Sequence, residues 1–423
     1  MNLAFSEQIR RFLRVRLPQE TPRVQHGIYH YRREQGGSVT RFHLRVEEDG
    51  TGLLLANASI AARLLSSGVL IAKALLEGRS RQDVRQAVRE SFRNVNDNQL
   101  DEDVQKLTGF IETPANPEDN YPIFNLDDPA TATPRALFAP FHAQLRVAPP
   151  EKTNPLLQKL WNNGILHVTF LATGSSSVRD AVANIERAED TGMISGLRGT
   201  ATWLQTPDLL RSAAMAGADY VTVPVGSAEP EIHDGLMGAG DFLAAMKCFE
   251  DCQDLEVCSV AEVPLMRENV QDLDSLNQIL RKAGVWNVTY WAVAGQDPSA
   301  LSRTQIIEAA VQVEELAHRS KVRYVWLPPV SGNWKQTLEE GPRTAGDVSI
   351  RVEPDGSVYP ARGEMTAGGN LLMENWQTIW NREIFRRYRQ RIETPTRCDV
   401  CPGLEICAAD CPGDPRGWAA GKE

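Results

Sequence analysis

Cys398-Asp-Val-Cys401-Pro-Gly-Leu-Glu-Ile-Cys407-Ala-Ala-Asp-Cys411-Pro-Gly holds four of the chain's seven cysteines in the spacing C-x2-C-x5-C-x3-C. Thiolates are soft ligands for zinc and iron–sulfur clusters, and a C-x2-C step lets two sulfurs from one tight turn reach the same metal. Gly403, Gly413, Pro402, Pro412 and Pro415 describe a loop-built knuckle, in which backbone turns rather than a hydrophobic core place the sulfurs. A pair of disulfides, or four unrelated thiols, are the alternatives. One metal centre on Cys398, Cys401, Cys407 and Cys411 is the expectation, because nothing else in the chain reads as secreted and clustered cysteines inside cells usually bind metal. Zinc and a [4Fe–4S] cluster both suit four thiolates, and spacing does not separate them.

Working outward, 423 residues with 42% hydrophobic content allow two or three packed domains. The formal charge of −10 disfavours nonspecific nucleic-acid binding, which needs a basic face. Residues 1–46 are the exception, with nine arginines against Glu7, Glu20 and Glu34. They read as a solvated surface, with an acidic peptide or an anionic surface as the other uses of such charge. The arginine-bearing first residues lack a signal-peptide core, and no apolar run approaches a membrane helix, so cytoplasmic residence without a membrane partner is expected.

Taken in order, residues 1–26 form an arm broken by Pro18 and Pro22. Tyr29 and Tyr31, then Phe42, Leu44 and Val46, then Leu53 to Leu55 alternate as strands around the Glu48-Asp49-Gly50 turn. Three helices are predicted next: Ser59 to Leu76, one capped by Ser80 through Phe92, and one capped by Asp97 through Ile111. Five prolines between Pro114 and Pro134 mark residues 114–138 as a surface linker. Strands then alternate with helices. The strands are predicted near 143–147, 166–171, 197–203, 220–225, 256–263, 288–293 and 324–327, and the helices near 154–163, 177–190, 206–216, 239–252, 269–284 and 303–319. Such βαβ regularity implies an α/β fold, a parallel sheet of partial-barrel type with ligands at the carboxyl ends of its strands. Val348 to Val352 and Ser357 to Tyr359 flank Pro354-Asp-Gly356 as a small hairpin. Asn370 to Arg391 is predicted as one helix with Trp376, Ile379, Trp380, Ile384 and Phe385 as core.

Two stretches resemble known families. The strands followed by three helices over residues 28–113, with Leu75-Leu-Glu-Gly78 between the first two helices, resemble the PqqD-like winged-helix element of peptide-modifying systems. That resemblance implies capture of a peptide as an added strand on an open sheet edge. Packing against its own chain is the bland alternative, and the acidic Asp101-Glu-Asp103 makes the third helix a poor reader of DNA. Residues 352–392 with the cysteine run look like the SPASM extension of radical SAM peptide maturases, in which a DG-x-V-Y-P-C hairpin, a GN-L turn and a W-x2-I-W helix precede the cysteines of auxiliary [4Fe–4S] clusters. The implied architecture is a partial (βα)6 TIM-like barrel of radical SAM type at 139–329. It lies between a winged-helix-like α+β domain at 27–113 and a SPASM-like cysteine domain at 330–423.

The departures from that family bear on chemistry. Ala361 stands where the family has cysteine, and none follows Cys411, so two auxiliary clusters cannot be assembled by this chain alone. Radical SAM enzymes carry C-x3-C-x2-C after the first strand, leaving one iron open for S-adenosylmethionine. Here Ala148-Pro-Pro-Glu-Lys-Thr153 leads directly to a helix near Asn154, and no cysteine precedes Cys248. Ser175 and Ser176 replace the Glu and Pro of the family's glycine-rich turn. Cys248, Cys252 and Cys258 read as packed thiols. Glu229, Glu231, His233 and Asp234 read as a helix-entry loop with Gly240 and Asp241, and Gly235 to Gly240 lacks the flanks of a phosphate loop. No catalytic residue and no S-adenosylmethionine site are therefore expected. The leading expectation is a non-catalytic radical SAM-like protein that binds a peptide or a partner protein, such as a cysteine-complete radical SAM enzyme. A metalloenzyme or electron-transfer protein using the terminal cysteines, and a winged-helix regulator, are the alternatives.

Overall fold

The computed structural model describes residues 24–35, 38–58, 60–112, 137–327, 329–331, 333–341, 349–360 and 366–390. The amino-terminal part is an antiparallel sheet in the order β1 (Gly27–Gln35), β2 (Ser38–Val46), β3 (Gly52–Ala56), β4 (Ile60–Leu64). Phe42, Leu44, Val46 and Leu54 turn one face onto α1 (Ser66–Leu76), α2 (Arg81–Ser91) and α3 (Asp97–Glu112) and form one core with their buried residues. The stretch predicted as a helix from Ser59 divides here: Ile60–Leu64 is a fourth strand, paired with β3, and the helix begins at Ser66. Ser80 caps α2 by accepting from the Asp83 N–H at 3.2 Å. The cap of α3 is Asn96 rather than Asp97, its Oδ1 accepting from Asn98 N–H at 3.0 Å and Gln99 N–H at 3.2 Å. Asp97 bonds to Arg89 instead.

The larger sheet runs in sequential order through seven parallel strands: β5 (His142–Arg146), β6 (His167–Leu171), β7 (Ile194–Arg198), β8 (Tyr220–Pro224), β9 (Cys258–Leu265), β10 (Asn287–Ala294) and β11 (Arg323–Trp326). Between them lie α4 (Pro150–Asn162), α5 (Val178–Thr191), α6 (Ala201–Leu204), α7 (Leu209–Met215), α8 (Pro230–Met237), α9 (Asp241–Asp254), α10 (Leu273–Lys282) and α11 (Arg303–Ser320). Right-handed crossovers in strictly sequential order put every helix on the same face of the sheet. That face is apolar, with Leu145, Val168, Phe170, Leu197, Val221, Val223, Ala261, Val263 and Val288 joined in one core. The third strand lies at 194–198, not 197–203, because Thr200 accepts from Trp203 N–H and opens the short α6.

Beyond β11 come β12 (Val330–Ser331), which pairs with β10, and α12 (Trp334–Glu340). β13 (Ser349–Val352) returns to pair parallel with β5 and antiparallel with β14 (Ser357–Tyr359), which pairs in turn with β15 (Gly369–Asn370). The single helix predicted from Asn370 is two, α13 (Trp376–Trp380) and α14 (Glu383–Gln390). Trp376, Ile379, Trp380 and Phe385 are buried as expected, and the indole N–H groups of Trp376 and Trp380 donate to the carbonyls of Phe138 and Leu137 at 3.0 Å each. The last residues of the predicted linker are thus buried rather than on the surface; 113–136 lie outside the described residues. No helix among the described residues is long and apolar enough to cross a membrane.

Candidate functional site

Strand alternation turns a second set of side chains to the face that the helices leave uncovered, and this set is polar. His142, Gln144, His167, Thr169, Arg198, Tyr220, Thr222, Glu262 and Thr289 are all buried there. At the amino ends of the strands, Tyr220 Oη is hydrogen-bonded to His167 Nε2 at 2.7 Å and to Thr169 Oγ1 at 2.5 Å, and Thr169 Oγ1 also meets His142 Nε2 at 2.7 Å. The two imidazoles lie with centroids 4.4 Å apart. Burial, aided by His142, holds the His167 imidazole well below its ordinary range, so it stays uncharged. At the carboxyl ends, Arg198 donates through Nε and Nη2 to both oxygens of Glu262 at 2.9 Å each, and Trp291 Nε1 donates to the same carboxylate at 3.0 Å.

The mouth above that pair is closed on one side. Trp334 and Leu338 of α12 pack with Met266, Trp291, Val293, Ala300 and Val330 in a separate apolar cluster. On the other side lies a cavity of about 230 Å³, lined by Thr200, Pro224, Leu236, Met237, Asp241, Lys335, Leu338 and Glu339. Behind it, His233 Nδ1 accepts from Gly226 N–H at 3.2 Å, which leaves the proton on Nε2, facing Asp241 Oδ2 at 3.2 Å. The stretch read as a helix-entry loop contains a helix of its own, α8, with His233 buried inside it. Asp234 does serve helix entry: its carboxylate accepts from Gly240 N–H at 2.7 Å and Phe242 N–H at 2.8 Å, which holds its carboxyl below the usual range. Glu229 and Glu231 are both exposed.

Cys398, Cys401, Cys407 and Cys411 lie outside the described residues, as does Ala361. Cys248, Cys252 and Cys258 are not paired in disulfides. Burial pushes Cys248 up to about 12 and raises the other two, so all three are protonated, poor ligands, as a packing role requires. Among the described residues no group of three or more His, Cys, Asp or Glu side chains is arranged to hold a metal. Sequence reasoning missed the Tyr220 network and the Arg198–Glu262 pair. Their signal was present, since polar residues recur at every second position of otherwise apolar strands.

The cluster loop can be tested directly. β5 ends at Arg146 and α4 begins at Pro150, so only Val147, Ala148 and Pro149 join them. Val147 N–H bonds to the Leu171 carbonyl at 2.9 Å, and Val147 and Ala148 are buried. These residues do not fit a three-thiolate cluster: no thiol is present and the connection is packed.

No protein-family model matches the chain. It is 24% identical over 281 residues to the PqqA peptide cyclase of Bradyrhizobium diazoefficiens, covering 60% of this chain and 71% of that protein. It is 23% identical over 230 residues to the mycofactocin maturase MftC of Mycolicibacterium smegmatis, covering 49% and 56%. In fold it matches Streptococcus suis SuiB with a TM-score of 0.56 at 11% identity, across 88% of this chain and 94% of SuiB. SuiB has also been solved with its precursor peptide SuiA, and that structure matches with a TM-score of 0.56 at 10% identity across 86% and 92%. The fold is therefore that of SuiB, and the sequence relatives support the resemblance to radical SAM peptide maturases.

Proposed function

We propose that this chain is a radical SAM-like protein that keeps the peptide-maturase scaffold without its cluster-dependent chemistry, and acts as a peptide-binding or partner subunit in a peptide-modification system. The observation that carries this reading is the packed, cysteine-free connection between β5 and α4. Without three thiolates there is no open iron, hence no reductive cleavage of S-adenosylmethionine and no substrate radical. The scaffold does not need the cluster, because its sheet is held by the apolar core beneath it. The PqqD-like reading of the amino-terminal sheet is part of the proposal; β1 and β4 are its outer strands, and strand addition at such an edge is one route to peptide capture. One structural metal centre, zinc or [4Fe–4S], on Cys398, Cys401, Cys407 and Cys411 completes it.

Three measurements test it. Reconstituted anaerobically with iron and sulfide and given dithionite and S-adenosylmethionine, the protein yields no 5′-deoxyadenosine above background; clear turnover would sink the proposal. Metal analysis gives about one zinc or about four irons per chain, consistent with a single four-thiolate centre, and the metal disappears in the Cys398→Ala/Cys401→Ala variant. A precursor peptide, or a cysteine-complete radical SAM enzyme, is retained by the immobilised chain.

A further inference from the structure

We infer that the cavity at the carboxyl ends of β7 and β8 is a recognition pocket for one basic side chain of a bound peptide. This rests on the peptide-handling reading above and adds a chemical preference to it. At about 230 Å³ the cavity falls below the usual range for small-molecule sites, roughly 300 Å³ and upward, and suits a single side chain. Pro224, Leu236, Met237 and Leu338 supply apolar wall, the surface against which the methylene stem of a lysine or arginine packs. Asp241 is its inner polar group, 3% exposed, whereas Lys335 and Glu339 stand exposed at the rim.

Charge decides the ligand. Lys335 and Glu339 are one helical turn apart on α12 and of opposite sign, so they offset each other. His233 presents a neutral ring, which leaves the Asp241 carboxylate as the charge at the inner end. Lys335 does not neutralise it, since its Nζ lies over the Trp334 ring, 5.6 Å from the centroid. Asp241 accepts from Thr202 N–H and faces His233 Nε2, both at 3.2 Å, and a carboxylate has about four acceptor positions, so capacity remains. An anionic ligand would be repelled, a neutral one would desolvate the carboxylate's remaining acceptor positions without filling them, and an ammonium or guanidinium would pair with it.

The test uses the full-length chain and two monomeric probes, Nα-acetyl-lysine N-methylamide and its norleucine counterpart, titrated by protein NMR. The expected result is that the lysine probe binds about tenfold or more tightly, the size of one charge-assisted hydrogen bond. Asp241→Asn should abolish that preference. Because that change also touches His233 and the start of α9, Met237→Trp provides a second variant that fills the cavity from its wall and should remove binding of both probes. Equal binding of the two probes, a preference that survives Asp241→Asn, or no binding by the unaltered chain would overturn the inference. The probes need no peptide capture, so failure to retain a precursor peptide would count against the proposed function and leave the pocket's cation preference standing.

Discussion

The ring of Tyr220 lies across Gly196 on the neighbouring strand, so close that a Cβ on Gly196 would stand 2.1 Å from it. The two residues are paired in the β7–β8 register. Only a residue without a side chain lets the phenol cross β7 and reach Thr169 and His167 on β6. Gly196→Ala should therefore displace the ring, cost about 1–3 kcal/mol through overpacking, and break the network. Tyr220→Phe keeps the ring and removes the hydroxyl, leaving buried partners unmet at a similar cost of about 1–3 kcal/mol. Urea denaturation of both variants checks this, and a Gly196→Ala chain as stable as its parent would refute it.

Arg198 and Glu262 are each about 1% exposed, on strands separated by β8. Burial makes such a pair costly to split: replacing one partner leaves an uncompensated charge, a loss of about 3–5 kcal/mol. Arg198→Met and Glu262→Leu should each be severe, and the double variant should be markedly more stable than the sum of the two losses predicts. Strict additivity in that cycle would show that the pair does not act as a unit.

Arg45 is one of the buried residues that join the amino-terminal sheet to the rest of the chain. Its guanidinium stands 4.0 Å from the centre of the Phe141 ring and 4.8 Å from that of Phe138. It donates to the Pro140 carbonyl at 2.8 Å, to the Ala139 carbonyl, and to Glu47 at 2.7 Å, while Glu47 also accepts from Phe138 N–H at 3.2 Å. Arg45→Lys is not conservative here, because one ammonium cannot reproduce the planar fork and its stacking. Arg45→Lys and Arg45→Met should both speed proteolytic separation of the amino-terminal sheet, with Met costing about 3 kcal/mol or more by stranding Glu47. Unchanged cleavage rates in both would remove Arg45 from this role.

The strand–helix alternation from residue 142 to 326 was legible because each strand is a short apolar run between helical periods, and most boundaries fell within a few residues. The failures have local causes. Ile60 to Leu64 carries period-two alternation too short to stand out from the helix that follows it. Trp203 looked like strand because aromatic residues favour strands, yet a threonine cap turned it into helix. The Tyr220 network was hidden because its members are far apart in sequence and only strand register brings them together. The terminal cysteine spacing was the most specific signal in the sequence, and it lies outside the described residues.

His43 offers a pH test of the interface between the two sheets. Its ring is buried, with Nε2 2.6 Å from the Gly192 carbonyl, and stacks on His30 with centroids 4.7 Å apart, while Trp161 meets both rings in T-shaped contacts. Arg41 and Arg32 are the cations nearby; Arg41 is paired with Glu189 and Asp219. Burial, with His30 and Arg41 adding to it, lowers His43 from 6.5 to about 3, and burial also lowers His30. A base lowered on folding binds its proton more readily when unfolded. Its contribution is therefore undiminished above the ordinary histidine range and is lost as pH falls from about 6.5 toward 3, by up to about 1.4 kcal/mol per pH unit for each such histidine. Glu189, raised by burial, works in the opposite direction over its own range, so the comparison must isolate the imidazole. Urea denaturation at pH 7.5, 6 and 5 should show stability falling with acid, and His43→Gln, which keeps a donor for Gly192, should flatten that fall. If the slope is the same with and without His43, the buried imidazole is not the acid-sensitive element of this interface.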